Sequence, residues 1–148
     1  MTRAALLQFL RARRYAVQSS VSADGAPQAA VVGIAVSDDF EIVFDTIETT
    51  RKARNLRRGG RIAFVVGSVE PDALQTAQYE GVADEPAGGE LARLVDLYLS
   101  VFPDGRDRQT WPGLTYFRVK PSWLRYSDFS CDPPQILELD GLQLQDLR

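Results

Sequence analysis

A basic stretch in the first half of the chain carries the residues with the clearest potential for chemistry. Thr50, Arg51 and Lys52 follow an apolar segment directly, and no acidic residue lies between Glu48 and Glu70. A hydroxyl, a planar guanidinium and an ammonium group together match the oxygen atoms of a phosphate. If these residues start a helix, its free backbone N–H groups and the positive end of its dipole add to the attraction. The pattern predicts a site for a small phosphate-bearing ligand; the alternative is a solvated basic surface.

The local sequence predicts a short helix over residues 51–58, between two strands. Thr49 or Thr50 can cap its N-terminus, because a hydroxyl there accepts a hydrogen bond from a free backbone N–H. Gly59 and Gly60 can end it, since glycine adopts the left-handed backbone of a helix C-terminus without strain. The helix is rich in cations, which are Arg51, Lys52, Arg54, Arg57 and Arg58. We therefore expect the hydroxyl and the first two cations to meet at its N-terminal turn.

The composition limits what this site can bind. The 148 residues are 45% apolar and 25% charged, which is typical of a soluble globular protein, and we expect a single domain over residues 1–148. The net charge of −3 gives no reason to expect nucleic acid or a membrane as a partner. No apolar run approaches about 18 residues, and the N-terminus is too polar for a signal peptide. We expect a cytoplasmic protein whose basic cluster serves a small anion.

The residue types that are missing narrow the chemistry further. The chain contains no histidine, which removes the commonest general base and the commonest metal ligand. The single cysteine, Cys131, excludes an internal disulfide and a zinc site made of cysteines. If the protein is an enzyme, we expect a bound cofactor to carry the chemistry while the side chains position it.

The hydrophobic pattern predicts an antiparallel barrel around this site. Six segments have the composition of strands and a short seventh follows them: 15–22, 28–36, 40–46, 61–69, 74–83, 114–126 and 136–139. We expect the strand over 114–126 to be interrupted at Pro121. Helices are expected over 2–14 and 90–102, and a loop over 106–112. A parallel sheet would need a helix after nearly every strand, so the pattern favours a mainly β (α+β) fold with a closed antiparallel barrel of six or seven strands.

Three parts of the sequence resemble one known family. The stretch from Phe44 to Phe64 has the pattern Phe-Asp-Thr-x-x-Thr-Thr-Arg-Lys-Ala-x-Asn-Leu-x-x-Gly-Gly-Arg-Ile-Ala-Phe. It resembles the flavin-phosphate segment of the pyridoxamine 5′-phosphate oxidase-like family, the FMN-binding split barrels. The Asp-Gly-x-Pro turn at 24–27 and the Pro-x-Trp-x-x-Tyr pattern at 121–126 are similar to the opening and the last barrel strand of that family. The resemblance covers roughly residues 5–128 and implies a split β-barrel.

The resemblance implies roles for the residues around the basic helix. In the family, the FMN phosphate sits on a Ser/Thr-Arg-Lys step, which corresponds to Thr50, Arg51 and Lys52. The strand residues just before that step lie beside the ribityl chain or the phosphate. Asp45 and Thr46 hold those positions here.

The remaining implied flavin contacts come from other strands. Val31 and Val32 correspond to residues that lie against the isoalloxazine, partly through backbone groups, whereas their types alone indicate core. A family glutamine that binds the polar edge of the ring corresponds to Gln75 or Thr76, and the register stays open. Trp123 is expected to reach a site across a dimer interface, since family members are usually homodimers with two interfacial flavins. Its alternative role is a packed strand aromatic.

Three functions follow from the resemblance. The first is an FMN-dependent oxidoreductase that moves a hydride to or from an unknown small substrate. The second is a reductase using the deazaflavin F420, whose acidic tail would meet Arg54, Arg57 and Arg58. The third is a non-catalytic flavin-binding module. True pyridoxamine 5′-phosphate oxidases carry an Arg-x-His segment that grips the substrate phosphate, and because this chain has no histidine we do not expect that activity.

Overall fold

The structure is a computed structural model that describes residues 1–68 and 70–148. Its helices are α1 (Arg3–Ala12), α2 (Arg51–Gly59), α3 (Gly88–Val101), α4 (Gly105–Arg108) and α5 (Gly141–Asp146). Its strands are β1 (Tyr15–Val21), β2 (Pro27–Gly33), β3 (Ala35–Val36), β4 (Ile42–Ile47), β5 (Arg61–Gly67), β6 (Gln75–Asp84), β7 (Leu114–Asp128) and β8 (Gln135–Asp140). Val69, the last residue of the predicted strand 61–69, lies outside the described residues. Among the described helices, none is long and apolar enough to span a membrane.

The strands form one antiparallel sheet that curls around a core. Their order is β2-β1-β5-β6-β7-β4-β3, and β8 pairs with the C-terminal part of β7, whose N-terminal part pairs with β4. All of these pairings are antiparallel, from the β1–β2 hairpin to the β7–β8 hairpin. The two ends of the path, β2 and β3, are consecutive in the sequence, so the sheet must bend round to bring them together. The predicted antiparallel split barrel is confirmed.

Eight strands replace the predicted six or seven because the segment 28–36 divides. The pairing of β2 with β1 ends at Gly33, opposite Tyr15, where β1 itself begins. Ala35 and Val36 then pair with β4 at the other end of the path. At the division, a Cβ on Gly33 would lie 2.7 Å from the ring of Phe102, so glycine is needed where the chain changes partners.

Two other predictions about local structure were wrong. β7 runs through Pro121 without interruption, because the β6–β7 register shifts between Glu80 and Gly81, opposite the proline. Such a bulge accommodates a residue that has no backbone N–H to donate. The predicted loop over 106–112 overlaps α4, a single helical turn at Gly105–Arg108. The predicted helix over 90–102 is confirmed as α3, which starts two residues earlier, at Gly88.

Two hydrophobic clusters hold these elements together. The larger fills the inside of the curled sheet, where the ring of Phe44 lies 6.0 Å from that of Phe64 and 5.8 Å from that of Phe117. The smaller lies between α3 and the outer side of β3 and β4, and its buried members are Ala35, Val43, Leu94, Tyr98, Leu99 and Phe102. α3 therefore covers only one part of the outer surface of the sheet.

The outward surface of β1, β2, β5 and β6, which we call the open sheet face, stays exposed. It carries apolar side chains that are 41% to 68% accessible, namely Tyr15, Val17, Val21, Val31, Val65 and Val82. Several of them are neighbours across strands, since Val17 pairs with both Val31 and Val65. A contiguous apolar surface of this kind is typical of an interaction surface.

Candidate functional site

α2 begins at the residue that its chemistry requires. Thr50 has the extended backbone of an N-cap, and its hydroxyl accepts a hydrogen bond from the backbone N–H of Ala53 at 3.4 Å. Thr50, rather than Thr49, is therefore the cap. Its hydroxyl also lies 3.1 Å from the hydroxyl of Thr46 on β4. Ala53 and Leu56 are buried in the barrel core and fix the orientation of the helix.

A cavity of about 210 Å³, which we call the α2 cavity, opens at this helix start. Thr50, Arg51 and Lys52 form one side of it, as the sequence predicts. The other side consists of residues from β1 and β2, which are Gln18, Ser20, Gln28, Ala29 and Ala30. The structure thus brings the hydroxyl, both cations and the first N–H groups of α2 to one concave surface, which is the geometry of an anion site.

The two cations at the α2 cavity differ from those further along the helix. Neither Arg51 nor Lys52 forms an ion pair with any described residue. The pKa of Lys52 is lowered, because the effect of burial exceeds the opposing effect of the Asp45 charge. Arg57, in contrast, donates to Glu85 at 2.8 and 2.9 Å. Arg58 donates to the backbone carbonyl of Val21 and to the side-chain oxygen of Asn55. Their roles are therefore structural, and of the arginines expected at an acidic tail only Arg54 is exposed and has no described side-chain partner.

The floor of the α2 cavity is polar, which the sequence reasoning missed. Asn55 is buried and donates to the hydroxyl of Ser20 at 3.0 Å and to the side-chain oxygen of Gln28 at 2.9 Å. Gln18 is 1% exposed, and its side-chain oxygen has no hydrogen-bond partner in the described part of the chain. Strand alternation was the available signal, because inward positions Ala16, Gln18 and Ser20 carry two polar side chains where core residues are expected.

The two residues predicted beside the phosphate are used differently. The hydroxyl of Thr46 faces Thr50 at the α2 cavity. The carboxylate of Asp45 points to the other side of β4, where it accepts hydrogen bonds from Tyr98 at 2.8 Å and from Arg108 at 3.0 Å. Burial, together with the Asp45 charge, raises the pKa of the Tyr98 hydroxyl. The carboxylate of Asp45 therefore anchors α3 and α4 to the barrel, and Lys52 senses only its charge.

The predicted ring contacts on β2 lie on opposite sides of the sheet. Val32 is 7% exposed and belongs to the barrel core, whereas Val31 is 68% exposed on the open sheet face. A flat ligand placed against β2 from outside would touch the side chain of Val31 and only the backbone of Val32. Both residues follow Ala29 and Ala30, which line the α2 cavity.

The remaining predicted residues meet at a second groove, of about 290 Å³, on the open sheet face. Thr76 and Trp123 line it together with Val17, Val65, Gln78 and Glu80, among other residues. Gln75 instead donates to the carboxylate of Asp128 at 2.8 Å, so of the two alternatives in the β6 register only Thr76 shares the groove with Trp123. The Trp123 indole donates to Glu138 at 3.1 Å. No described residue lines both the groove and the α2 cavity.

The fold and the α2 cavity together define a class: small split barrels in which a helix N-terminus and a Thr-Arg-Lys step border a cavity. The family model described as pyridoxamine 5′-phosphate oxidase matches residues 2–128. The match covers most of the chain, so the protein belongs to the pyridoxamine 5′-phosphate oxidase family.

Individual relatives show how varied this family and fold are. A 5a,11a-dehydrotetracycline/5a,11a-dehydrooxytetracycline reductase from Streptomyces rimosus is 30% identical over 94 residues, which are 59% of this chain and 66% of that protein. A heme binding protein from Mycobacterium smegmatis superposes with a TM-score of 0.84 at 17% identity, over 99% of this chain and 61% of that one. The heme storage protein HutZ from Vibrio cholerae has a TM-score of 0.71 at 16% identity, over 80% of this chain and 88% of that one. The two structural likenesses show the fold alone.

Proposed function

We propose that this protein is a flavin-dependent oxidoreductase that holds FMN through its phosphate at the N-terminus of α2. The observation that carries the proposal is the α2 cavity, where Thr50, Arg51 and Lys52 converge on the free N–H groups of a helix. Membership of a family whose model is described as pyridoxamine 5′-phosphate oxidase supports a redox role. The absence of histidine supports chemistry carried by a cofactor rather than by a side-chain base.

The donor set fits a phosphate monoester. The Arg51 guanidinium can donate two parallel hydrogen bonds to phosphate oxygens, and Lys52 adds a compact charge. Neither cation is taken up by a carboxylate of the described residues, so both can meet the ligand without breaking an ion pair. Thr50 holds the helix start in place and contributes a hydroxyl. When bound, FMN would supply hydride transfer, and the residues of this chain would bind it, orient it and exclude water from it.

The α2 cavity is small for the whole cofactor, so in this proposal one chain would enclose FMN only in part. At about 210 Å³ it is smaller than the roughly 300–1,000 Å³ of typical small-molecule pockets. The phosphate and the adjoining part of the ribityl chain would occupy it, and the ring would lie outside, against β2 near Val31. A ring in that place needs a further wall, and no element of the described residues covers the open sheet face.

We therefore propose a homodimer in which a second copy covers the open sheet face. The exposed valines of this surface supply the apolar contact, and the groove that contains Thr76 and Trp123 would then face the flavin bound to the other copy. Light scattering at micromolar concentration should give the mass of a dimer. A monomer at that concentration, with FMN bound, would contradict this arrangement.

We propose a small-molecule substrate, and the names of the relatives do not identify it for this chain. The Streptomyces relative is named a reductase, which supports transfer of a hydride from the reduced flavin to an acceptor. The namesake oxidation of pyridoxamine 5′-phosphate is not proposed, because the histidine of the substrate-gripping segment is missing. Heme is not proposed either, since the residue that most often ligates its iron does not occur in this sequence.

A reductase that uses F420 is the second candidate. Arg54 and Arg61 are exposed and form no ion pair with the described residues, so they remain able to meet an acidic tail that leaves the α2 cavity. Arg57 is not, because Glu85 and Glu48 already hold it. The tail contact would therefore involve fewer arginines than the sequence alone predicts.

The decisive experiment is to purify the protein, record its absorbance and identify the released ligand by mass. A flavin spectrum with the mass of FMN supports the first candidate, and F420 supports the second. Titration of both cofactors into the apo-protein should give saturable binding for one of them. A protein that binds neither would refute the proposal. Turnover of the loaded protein with a nicotinamide donor and a dye acceptor separates an oxidoreductase from a non-catalytic flavin-binding module.

A further inference from the structure

Gln18 stands out among the polar residues of the barrel interior. It lies on an inward position of β1, is 1% exposed, and its side-chain oxygen has no hydrogen-bond partner in the described part of the chain. A buried carbonyl oxygen that leaves water without a new partner destabilises the folded state. Such a group is retained more readily when it serves a ligand, because the ligand then provides the missing partner.

Gln18 lies in the wall of the α2 cavity, among polar residues that are hydrogen-bonded to one another. Gln18 lines that cavity together with Thr50 and Arg51. Its polar neighbours are already engaged with one another, because Asn55 donates to both Ser20 and Gln28. The Thr50 hydroxyl accepts from Ala53 and shares a hydrogen bond with Thr46, and it lies at the helix start, where we propose that the phosphate binds. Among the described residues, Gln18 is thus the buried residue of the cavity wall that has a polar atom without any hydrogen-bond partner, and that atom is available to a molecule that enters the cavity.

The chemistry of a carbonyl oxygen defines what that molecule must offer. A phosphate dianion has acceptor oxygens only, so it cannot satisfy the oxygen of Gln18. A hydroxyl can, since it both donates and accepts.

We propose that Gln18 binds the hydroxyl-bearing chain to which the phosphate is attached. The α2 cavity then recognises two parts of one ligand: the helix start binds the phosphate, and Gln18 hydrogen-bonds to the polyol beside it. This assignment rests on the proposed function, because it takes FMN as the phosphate ester. It makes Gln18 a residue that selects a polyol phosphate over inorganic phosphate.

The test replaces Gln18 with methionine, which has a similar length and no polar group. The apo-protein of the Gln18→Met variant is titrated with FMN and with riboflavin, and inorganic phosphate is used as a competitor against FMN. We expect the affinities for FMN and riboflavin to fall by a common factor of about three to ten, the worth of one hydrogen bond. The inhibition constant of inorganic phosphate should stay unchanged. Gln8→Met, at an exposed position of α1, is the matched control and should alter none of these values.

Stability of the apo-protein provides a readout that does not depend on the ligand. Removing an unpaired buried amide should raise the thermal midpoint of Gln18→Met by about 2 °C or more. Gln18→Asn keeps an amide that is one methylene shorter, so it should lose ligand affinity without gaining stability. A Gln18 with a purely structural role would give a lower midpoint in Gln18→Met and an unchanged preference between flavin and phosphate.

The outcomes separate the two proposals. If the wild-type protein binds FMN and Gln18→Met binds it equally tightly, the assignment of Gln18 is wrong and the proposed function stands. A lower midpoint in Gln18→Met also overturns the assignment, because the amide must then be satisfied in the apo-protein. If the wild-type protein binds neither FMN nor riboflavin, the proposed function fails and the role of Gln18 fails with it.

Discussion

Two adjacent residues of β4 serve two charged regions that differ in how their charges are satisfied. On one side, the hydroxyl of Thr46 contacts that of Thr50, which lines the α2 cavity together with Arg51 and Lys52, and neither cation has a carboxylate partner among the described residues. On the other side, Asp45 accepts hydrogen bonds from Tyr98 and Arg108, which tie α3 and α4 to the barrel. Both regions contain arginines close to a strand end. Only their partners distinguish a site that can receive a ligand from one that holds the fold together.

The second region, which we call the α3 cluster, extends to a more deeply buried arginine. Arg118 is 8% exposed and donates to Asp84 at 2.9 Å and to Glu90 at 2.8 Å, and it lies 3.6 Å from Glu41. Glu41 is also buried and accepts from Arg93 at 2.8 Å. Every charge in this cluster has a partner, so it offers a ligand no unused capacity. Its contribution should be to stability.

The largest expected effect is the loss of stability in Arg118→Met. Removing the guanidinium leaves the buried Glu41 with Arg93 as its one remaining described cation, beside the Ser37 hydroxyl, and breaking a buried ion pair costs about 3 kcal/mol. Urea denaturation should show this loss in the free energy of unfolding, while FMN affinity stays within about twofold. Arg54→Met, on the exposed side of α2, is the control and should change stability by less than about 0.5 kcal/mol. A loss below about 1 kcal/mol in Arg118→Met would mean that the cluster is not a structural anchor.

The next effect is a loss of FMN affinity, whereas Arg118→Met should lower stability and leave FMN affinity nearly unchanged. Arg51→Ala removes a cation from the α2 cavity, where a charge-assisted hydrogen bond is worth about 1.5–3 kcal/mol, so affinity should fall about ten- to a hundredfold. Arg58→Ala should weaken FMN much less, because that guanidinium is held by Val21 and Asn55. Titrations of both apo-variants at one ionic strength decide the matter. Equal losses of FMN affinity in the two variants would mean that α2 acts as a diffuse basic surface, and the assignment of the phosphate to its N-terminus would be wrong.

A matched pair of hydroxyl deletions compares the two sides of β4 directly. Thr50→Ala removes the cap of α2, and Tyr98→Phe removes the hydroxyl that donates to Asp45. Each should lower the free energy of unfolding by about 1 kcal/mol. Only Thr50→Ala should also weaken FMN, because only that hydroxyl borders the α2 cavity. If Tyr98→Phe weakened FMN as much, the α3 cluster would belong to the binding site.

The smallest effect is a pH dependence that Lys52 should introduce. Burial lowers the pKa of Lys52 in the free protein, and a bound phosphate favours its charged form and raises the pKa again. When the pH is above the pKa that Lys52 has in the FMN-free protein, binding of FMN takes up a proton. FMN affinity should therefore be constant below that pKa and fall as the pH rises through it. We expect titrations between pH 7 and pH 10 to show this loss of affinity at the alkaline end. Lys52→Arg should flatten this part of the curve, and an identical fall in that variant would exclude Lys52 as its source.

The parts of the fold that were predicted correctly depend on local patterns. The cap and the C-terminal glycine of α2 were readable because both act within one or two turns. α5 could also have been predicted, since Asp140 and Gln143 form a capping box, a local signal that the reasoning overlooked. The continuous path of β7 through Pro121 could not, because it depends on the pairing with β6, a strand far away in the sequence, against which Ser122 of β7 bulges out of the register.

The sequence by itself determined the antiparallel class of this protein and the clustering of Thr50, Arg51 and Lys52, because strand periodicity and helix caps act over a few residues. Only the tertiary structure decided which polar groups are left without partners. Asp45 was expected beside the phosphate, yet its carboxylate is bound by residues 53 and 63 positions further along the chain. Gln18 was not predicted as a site residue, yet in the structure its buried side-chain oxygen has no hydrogen-bond partner among the described residues. Whether a charged group or an amide is free to bind a ligand depends on hydrogen-bond partners that are distant in the sequence, and local sequence patterns do not predict those partners.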